Sequence, residues 1–118
     1  MLFWFCGALF VTFLALQAAN FLYTYFPTYL LYSFVHFLGG TSVGFFSLWL
    51  GQLLGTRVTI LHCICLVLLI GGAWEVWEFM LGLISFPADT IDSVSDLMLD
   101  AAGTLLVYYM VQSVYART

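Results

Sequence analysis

The sequence predicts an all-α membrane protein, a polytopic transmembrane helical bundle of about four spans. Of its 118 residues, 64% are hydrophobic and only 7% are charged, whereas about 25% are charged in typical soluble domains. A chain this short leaves much of its surface exposed when folded, so side chains this apolar need lipid around them. We therefore expect a single integral membrane domain over residues 1–118.

Four apolar runs separated by short breaks define the predicted spans. Each run is long enough to cross the hydrocarbon core of a bilayer, which takes about 20 helical residues. The first run lacks a basic leader and a small-residue cleavage site, so we expect a retained helix rather than a signal peptide. The predicted spans are residues 2–19, 29–54, 58–86 and 91–115.

The few basic residues predict the orientation of these spans. The chain has no lysine, and its two arginines, Arg57 and Arg117, follow the second and fourth runs. By the positive-inside rule both arginines face the cytoplasm, which also places both termini there. We expect a location in the bacterial inner (plasma) membrane. Without a basic patch the chain has no surface for nucleic acid.

The acidic residues are the main candidates for function. All six lie within residues 75–100, in or beside the third and fourth runs. A carboxylate in the hydrocarbon region is costly unless it is paired, protonated or hydrated, so each is a functional candidate. Residues four apart, such as Asp92, Asp96 and Asp100, lie along one stripe of a helix. Glu75 and Glu78 likewise share a helix face.

His36 lies at a similar predicted depth on the second helix, because each helical residue advances about 1.5 Å. Three helices would then bring ionisable groups to one level, on the outer side of the membrane. The candidate metal or proton site is His36, Glu75, Glu78, Asp92, Asp96 and Asp100. Carboxylates with one imidazole suit a divalent cation, Mg²⁺, Mn²⁺, Ca²⁺ or Zn²⁺.

Several of these polar residues also have a structural interpretation. Asp89 or Thr90 is typical of a helix N-cap, and Asp92 falls in a first turn, where the helix dipole favours a negative charge. His62 is expected to pack at the membrane interface. Cys63 and Cys65 point to different sides of a helix, which disfavours a soft-metal site.

Glycines are spaced for close helix packing. The small-xxx-small pattern occurs at Gly40 with Gly44 and again at Gly51 with Gly55, and a Gly71-Gly72 pair precedes the first acids. Such patterns are typical of helices that approach closely within a bilayer. We therefore expect these glycines at helix contacts, with a local kink or cavity as the alternative at Gly71-Gly72.

Three motifs stand out between about residues 35 and 106, namely HFLGG (36–40), WEVWEF (74–79) and DTIDSVSDLMLDAAGTLL (89–106). Together they resemble the motifs of YjdF-like and VanZ-like small polytopic membrane proteins. The resemblance implies a role at the cell envelope, where VanZ is implicated in glycopeptide resistance. The positions that the resemblance carries over are His36, Glu75, Glu78, Asp92, Asp96 and Asp100.

Three functions remain open on these residues. The first is a metal-assisted reaction on a lipid-linked or envelope substrate, in which the ion polarises a phosphoryl oxygen or activates water. The second is translocation of protons or cations by a homo-oligomer. The third is a noncatalytic subunit of a larger membrane complex, in which His36 or His62 could ligate haem or a pigment.

Overall fold

The computed structural model describes residues 7, 9–14, 16 and 28–115. The described residues form four helices and no strand. Helix α1 is described at residues 7, 9–14 and 16. The other three are α2 (Thr28–Leu54), α3 (Ile60–Met80) and α4 (Thr90–Tyr115). The predicted all-α class is confirmed.

Three of these helices are long and apolar enough to cross a membrane, which is compatible with an integral membrane protein. The candidate spans are Ser33–Leu54, Ile60–Met80 and Thr90–Ser113. They correspond to the second, third and fourth predicted spans. Much of the first predicted span, residues 2–19, lies outside the described residues.

Helix α3 ends at Met80, six residues before the predicted end of its apolar run. Gly82 adopts a positive φ of 71°, a conformation that glycine accepts without the Cβ penalty of other residues. The Gly82 N–H donates to the Phe79 carbonyl and the Leu83 N–H to the Glu78 carbonyl. These two bonds form a Schellman motif, which stops the helix although the sequence stays apolar.

Glycine brings α2 and α4 into backbone contact. A Cβ built at Gly40 would overlap the backbone carbonyl of Asp100, and one at Gly103 would overlap the backbone carbonyl of Phe37. The Thr104 hydroxyl also donates a 2.7 Å hydrogen bond to the Gly40 carbonyl. Gly44 packs on Thr104 as well, so the predicted contact at Gly40 and Gly44 is observed.

The second glycine pair serves a turn rather than a helix contact. Gly55 has a positive φ of 64°, directly after the last residue of α2. A Cβ at Gly51 would overlap the Val58 side chain in the connection that follows. The Gly51–Gly55 spacing therefore reflects the end of α2, where the chain must reverse direction.

The interior of the bundle has an apolar level and a polar level. The apolar level is a cluster of Phe45, Leu48, Cys63 and Val107. The polar level lies nearer the α3–α4 connection and contains buried His36, Glu75, Asp96 and Asp100. Cys63 is buried whereas Cys65 is exposed, as their spacing on one helix requires.

His62 lies at the opposite end of the molecule from the polar level. Its Nδ1 accepts a 3.2 Å hydrogen bond from the Thr59 N–H at the start of α3. The N–H at the N-cap has no acceptor within the helix itself. A side chain at the third helical position can accept its hydrogen bond. His62 therefore has a capping role, which the sequence analysis did not predict.

Candidate metal centre

Three helices, with α3 antiparallel to α2 and α4, bring four ionisable side chains to one level of the bundle. His36 lies eight residues after the start of α2, Glu75 five residues before the end of α3, and Asp100 ten residues after the start of α4. At about 1.5 Å per residue these positions are about 12, 8 and 15 Å along their helices. Because α2 and α4 begin at the end of the bundle where α3 finishes, the predicted convergence on one level is observed.

All four side chains are removed from the surface. His36 is 4% exposed, Glu75 6%, Asp96 8% and Asp100 7%. Charged groups are almost never this buried unless they are paired. The level therefore contains groups whose charge has to be balanced within the bundle.

The imidazole of His36 lies between two carboxylates of α4. Its Nε2 is 3.4 Å from Asp96 Oδ2, and its Nδ1 is 3.4 Å from Asp100 Oδ1. A neutral imidazole donates a proton from only one nitrogen and accepts at the other. Both nitrogens nevertheless face carboxylate oxygens, so the nitrogen without a ring proton needs a second proton or a cation between it and its carboxyl group.

His36, Glu75 and Asp96 form a group that can hold a metal ion. One ligand atom from each of the three residues lies within 4.8 Å of the other two. Glu75 Oε1 is buried and has no hydrogen-bond partner among the described residues. A buried carboxylate oxygen without a partner is unfavourable, so a ligand that accepts its lone pair would remove this cost.

Gly71 provides space for the Asp100 carboxylate. A Cβ at Gly71 would lie 2.8 Å from Asp100 Oδ2, closer than the two atoms can pack, whereas one at Gly39 would lie at an ordinary contact distance of 3.7 Å from Oδ1. Asp100 therefore fits against α3 because that helix has glycine beside it. Gly71 is at a helix contact, as its sequence position predicts, whereas Gly72 faces open space.

The described chain supplies no basic side chain to this level. Arg57 is the only Lys or Arg within the described residues, and it is exposed in the connection between α2 and α3. Among the described residues, the carboxyl groups of Glu75, Asp96 and Asp100 thus have only the imidazole of His36 as a possible cation nearby. A protonated imidazole would balance one of three ionised carboxylates and leave two in excess.

Two of the six predicted site residues, Asp92 and Glu78, are not among the four buried residues of the polar level. Asp92 is exposed in the first turn of α4, where the sequence also allowed a dipole role. Each step of four residues rotates about 40° around a helix, so Asp92 turns away while Asp96 and Asp100 face inward. Glu78 is half-buried two residues from the end of α3, because the helix ends earlier than its apolar run.

Asp89 and Thr90, the two predicted N-cap residues, make side-chain hydrogen bonds that do not cap α4. The Asp89 carboxylate accepts a 2.7 Å bond from the Ser85 N–H. The Thr90 hydroxyl donates a 2.9 Å bond to the Pro87 carbonyl. Both bonds close the turn that precedes the helix.

The sequence analysis missed two residues of the inward face of α4, Ser93 and Thr104. Ser93 is buried and its Oγ has no hydrogen-bond partner among the described residues. It precedes Asp96 by three residues and Asp100 by seven, which is the spacing of one helix face. Thr104 follows Asp100 by four. A stripe that allows a step of three as well as steps of four would have included both.

Comparison with protein-family models, with curated proteins and with solved structures finds no match for the chain. The resemblance to YjdF-like and VanZ-like proteins therefore stays a prediction that rests on the motifs between residues 35 and 106. The chemistry open to the cluster follows from its own geometry.

Proposed function

We propose that the protein binds a divalent cation inside the bilayer through His36, Glu75 and Asp96. The observation that carries this proposal is the approach of their ligand atoms to within 4.8 Å of one another. The unpartnered Oε1 of Glu75 supports it, because a coordinated ion would complete the environment of that oxygen. The three ligands come from three helices, so an ion there would also tie α2, α3 and α4 together.

Charge balance favours a divalent ion. Glu75 and Asp96 would each contribute one negative charge, which a single divalent cation neutralises, while His36 binds through a neutral nitrogen. Buried ions in a medium of low dielectric are tolerated only when they are paired and coordinated in this way. The mixed nitrogen and oxygen donors suit Zn²⁺ or Mn²⁺ better than Mg²⁺ or Ca²⁺, which prefer oxygen ligands alone.

Asp100 would act on the ion through His36. Its Oδ1 lies 3.4 Å from Nδ1, where it can accept the ring proton. That hydrogen bond would fix the tautomer in which Nε2 presents its lone pair towards Asp96, a carboxylate–histidine–metal arrangement. Asp100 is therefore a positioning residue in this proposal, not a ligand.

The reaction class that fits such an ion is metal-assisted chemistry on a lipid-linked or envelope substrate. A bound Zn²⁺ or Mn²⁺ polarises a phosphoryl oxygen or lowers the pKa of a coordinated water. The site would face the outer side of a bacterial inner membrane, where such substrates are exposed. Proton or cation translocation and membership of a larger membrane complex are the competing functions.

Manganese binding to the full chain in detergent micelles tests the metal site. The electron paramagnetic resonance signal of free Mn²⁺ reports the bound fraction during a titration. We expect about one ion per chain, with affinity lowered at least about 100-fold by Asp96→Asn and about 10- to 100-fold by Asp100→Asn. Asp92→Asn is the matched control, because it removes an exposed carboxylate of the same helix and should leave binding unchanged.

Saturable binding that is identical in Asp96→Asn, Glu75→Gln and the parent chain would contradict the metal site. The flanking of both His36 nitrogens by carboxylates favours proton sharing as the second candidate. In that case Mn²⁺ and chelators have no effect on the folded state. Asp100→Asn is then tolerated, because a neutral amide resembles a carboxyl group that holds the shared proton. The Mn²⁺ titration therefore separates the two candidates.

The proposed outward orientation has its own test. Cysteines introduced at Thr56 and Ala88, in the connections on either side of α3, should react with a membrane-impermeant maleimide from opposite faces of the membrane. We expect labelling of Ala88→Cys in intact spheroplasts and labelling of Thr56→Cys only after permeabilisation, because Arg57 favours the cytoplasmic side. Labelling of both from the same face would rule out the orientation.

A further inference from the structure

A cavity of about 380 Å³ lies between α1, α2 and α3, beside the polar level. This volume is within the range of about 300–1,000 Å³ that small-molecule sites occupy. Its walls are mainly aromatic and aliphatic, with Phe10 and Phe13 from α1, Phe46 and Trp49 from α2, and Ile70 from α3. Phe10 and Ile70 are also exposed at the surface of the bundle, so the cavity reaches the side that faces lipid.

The cavity is elongated in the direction of a lipid chain. On α2 it is lined from His36 to Trp49, thirteen residues apart, which is about 20 Å along the helix. One leaflet contributes about half of the roughly 30 Å hydrocarbon core. An extended hydrocarbon chain that enters near His36 would thus pass from one leaflet beyond the middle of the bilayer.

The exposed surface of the cavity is almost wholly apolar, and its ionisable lining residues lie at one end. His36 and Asp100 line it at the polar level, whereas Phe46 and Trp49 line it at the far end. Asp100 Oδ1 faces His36, while its Oδ2 lies beside Gly71. Gly71 is itself a wall of the cavity. A membrane lipid has the same arrangement, because its polar head group lies nearer the membrane surface than its hydrocarbon chain.

The polar end carries a carboxyl group and aromatic rings. Glu75 and Asp96 do not line the cavity, so Asp100 is the acidic residue among its described lining residues. The rings of Phe13 and Trp74 also line this space, with centroids 5.9 Å apart in an edge-to-face arrangement. A carboxylate beside aromatic rings is a setting that attracts ammonium groups.

We propose that this cavity binds one chain of a membrane lipid whose head group carries an ammonium, with that ammonium at Asp100 and the chain directed towards Trp49. The lipid does not depend on the metal, because neither Glu75 nor Asp96 lines the cavity. A lipid seated here would place its head group next to the proposed metal centre.

Fluorescence quenching of Trp49 measures chain binding directly. The full chain carrying Trp4→Phe, Trp74→Phe and Trp77→Phe retains Trp49 as its only tryptophan, and 12-bromododecylammonium is titrated in maltoside micelles containing EDTA. We expect saturable quenching, because the bromine end reaches Trp49. The phosphate analogue with the same brominated chain should bind at least about tenfold more weakly, since its charge is repelled by Asp100.

Val43→Phe and Asp100→Asn test chain binding and head-group binding separately, with Leu69→Phe as the control. Val43→Phe fills the cavity from α2 and should abolish saturable quenching, whereas Leu69→Phe enlarges an exposed residue of α3 and should not. Asp100→Asn should keep chain binding but remove the preference for ammonium over phosphate. The helical circular dichroism signal of each variant confirms that it is folded.

Unsaturable quenching, or equal quenching in Val43→Phe and Leu69→Phe, would overturn the lipid site. Preference for the phosphate analogue, or an ammonium preference that survives Asp100→Asn, would overturn the head-group assignment. Repeating the titration with Mn²⁺ in place of EDTA keeps the two proposals distinguishable. If the protein binds the ammonium probe but no Mn²⁺, the metal centre alone is contradicted. If it binds Mn²⁺ but not the probe, the lipid site alone is contradicted.

Discussion

The two levels of the bundle interior are built from different interactions. The apolar level, Phe45, Leu48, Cys63 and Val107, contains no ionisable carboxylate or imidazole. The polar level contains His36 and three buried carboxylates. Lipid is as apolar as a leucine side chain, so burying apolar groups between helices yields little beyond van der Waals contact. Close packing alone can therefore stabilise the apolar level, whereas the polar level also needs charge balance.

Substitution of Gly40, where α2 contacts the backbone of α4, should have the largest effect on stability. Gly40→Ala places a Cβ against the backbone of Asp100, and backbone yields less than a flexible side chain. We expect a loss of about 3 kcal/mol or more in the free energy of unfolding, at the upper end of overpacking effects. Gly72→Ala is the control, because Gly72 faces open space. It should be neutral or stabilising by up to about 1 kcal/mol.

Unfolding of both variants in mixed micelles, followed by circular dichroism as the denaturing detergent is increased, measures this difference. Equal stabilities would show that α2 and α4 do not approach as closely as the glycines allow.

Metal binding should stabilise only the polar level, and it should be the next largest effect. At a free Mn²⁺ concentration 100 times Kd, a ligand that binds only the folded state adds about 2.7 kcal/mol. We expect this gain in the parent chain and in Val107→Ala, and its loss in Asp96→Asn. Thermal unfolding with Mn²⁺ and with EDTA tests it. A gain that persists in Asp96→Asn would move the ion elsewhere.

Truncation in the apolar level should cost less and should not respond to metal. Val107 is almost fully buried beside Cys63 and Phe45. Val107→Ala removes two methyl groups and leaves a void, which we expect to cost about 2 kcal/mol. Leu106→Ala, at an exposed position of the same helix, is the matched control and should have little effect. Comparable losses in the two variants would place Val107 at the lipid surface.

The hydrogen bond between the levels should show the smallest effect. Thr104→Val keeps the shape of the side chain and removes the hydroxyl that donates to the Gly40 carbonyl. Because that carbonyl belongs to a helix, we expect a loss of only about 1 kcal/mol. Ser113→Ala removes an exposed hydroxyl that bonds its own helix and should be neutral. A loss as large as that of Gly40→Ala would make this bond the main link between α2 and α4.

The sequence by itself determined the class of fold and the level of the site. Hydropathy defined the apolar runs that became α2, α3 and α4, because a helix satisfies all of its backbone hydrogen bonds within one segment in lipid. The rise of a helix then brought His36, Glu75, Asp96 and Asp100 to one depth. The turn residues separated the helices, although Gly82 ended α3 within an apolar run that hydropathy could not divide.

Only the tertiary structure decided which face of each helix points inward. The helices are apolar on nearly every side, so hydrophobic periodicity, which orients helices in water, gives little information here. Backbone contact at Gly40 and Gly103 sets the rotation of α4 instead. That rotation buries Ser93, Asp96 and Asp100 while it turns Asp92 outward. The site depends on these contacts because in lipid helix orientation follows shape and polar pairing rather than hydrophobicity.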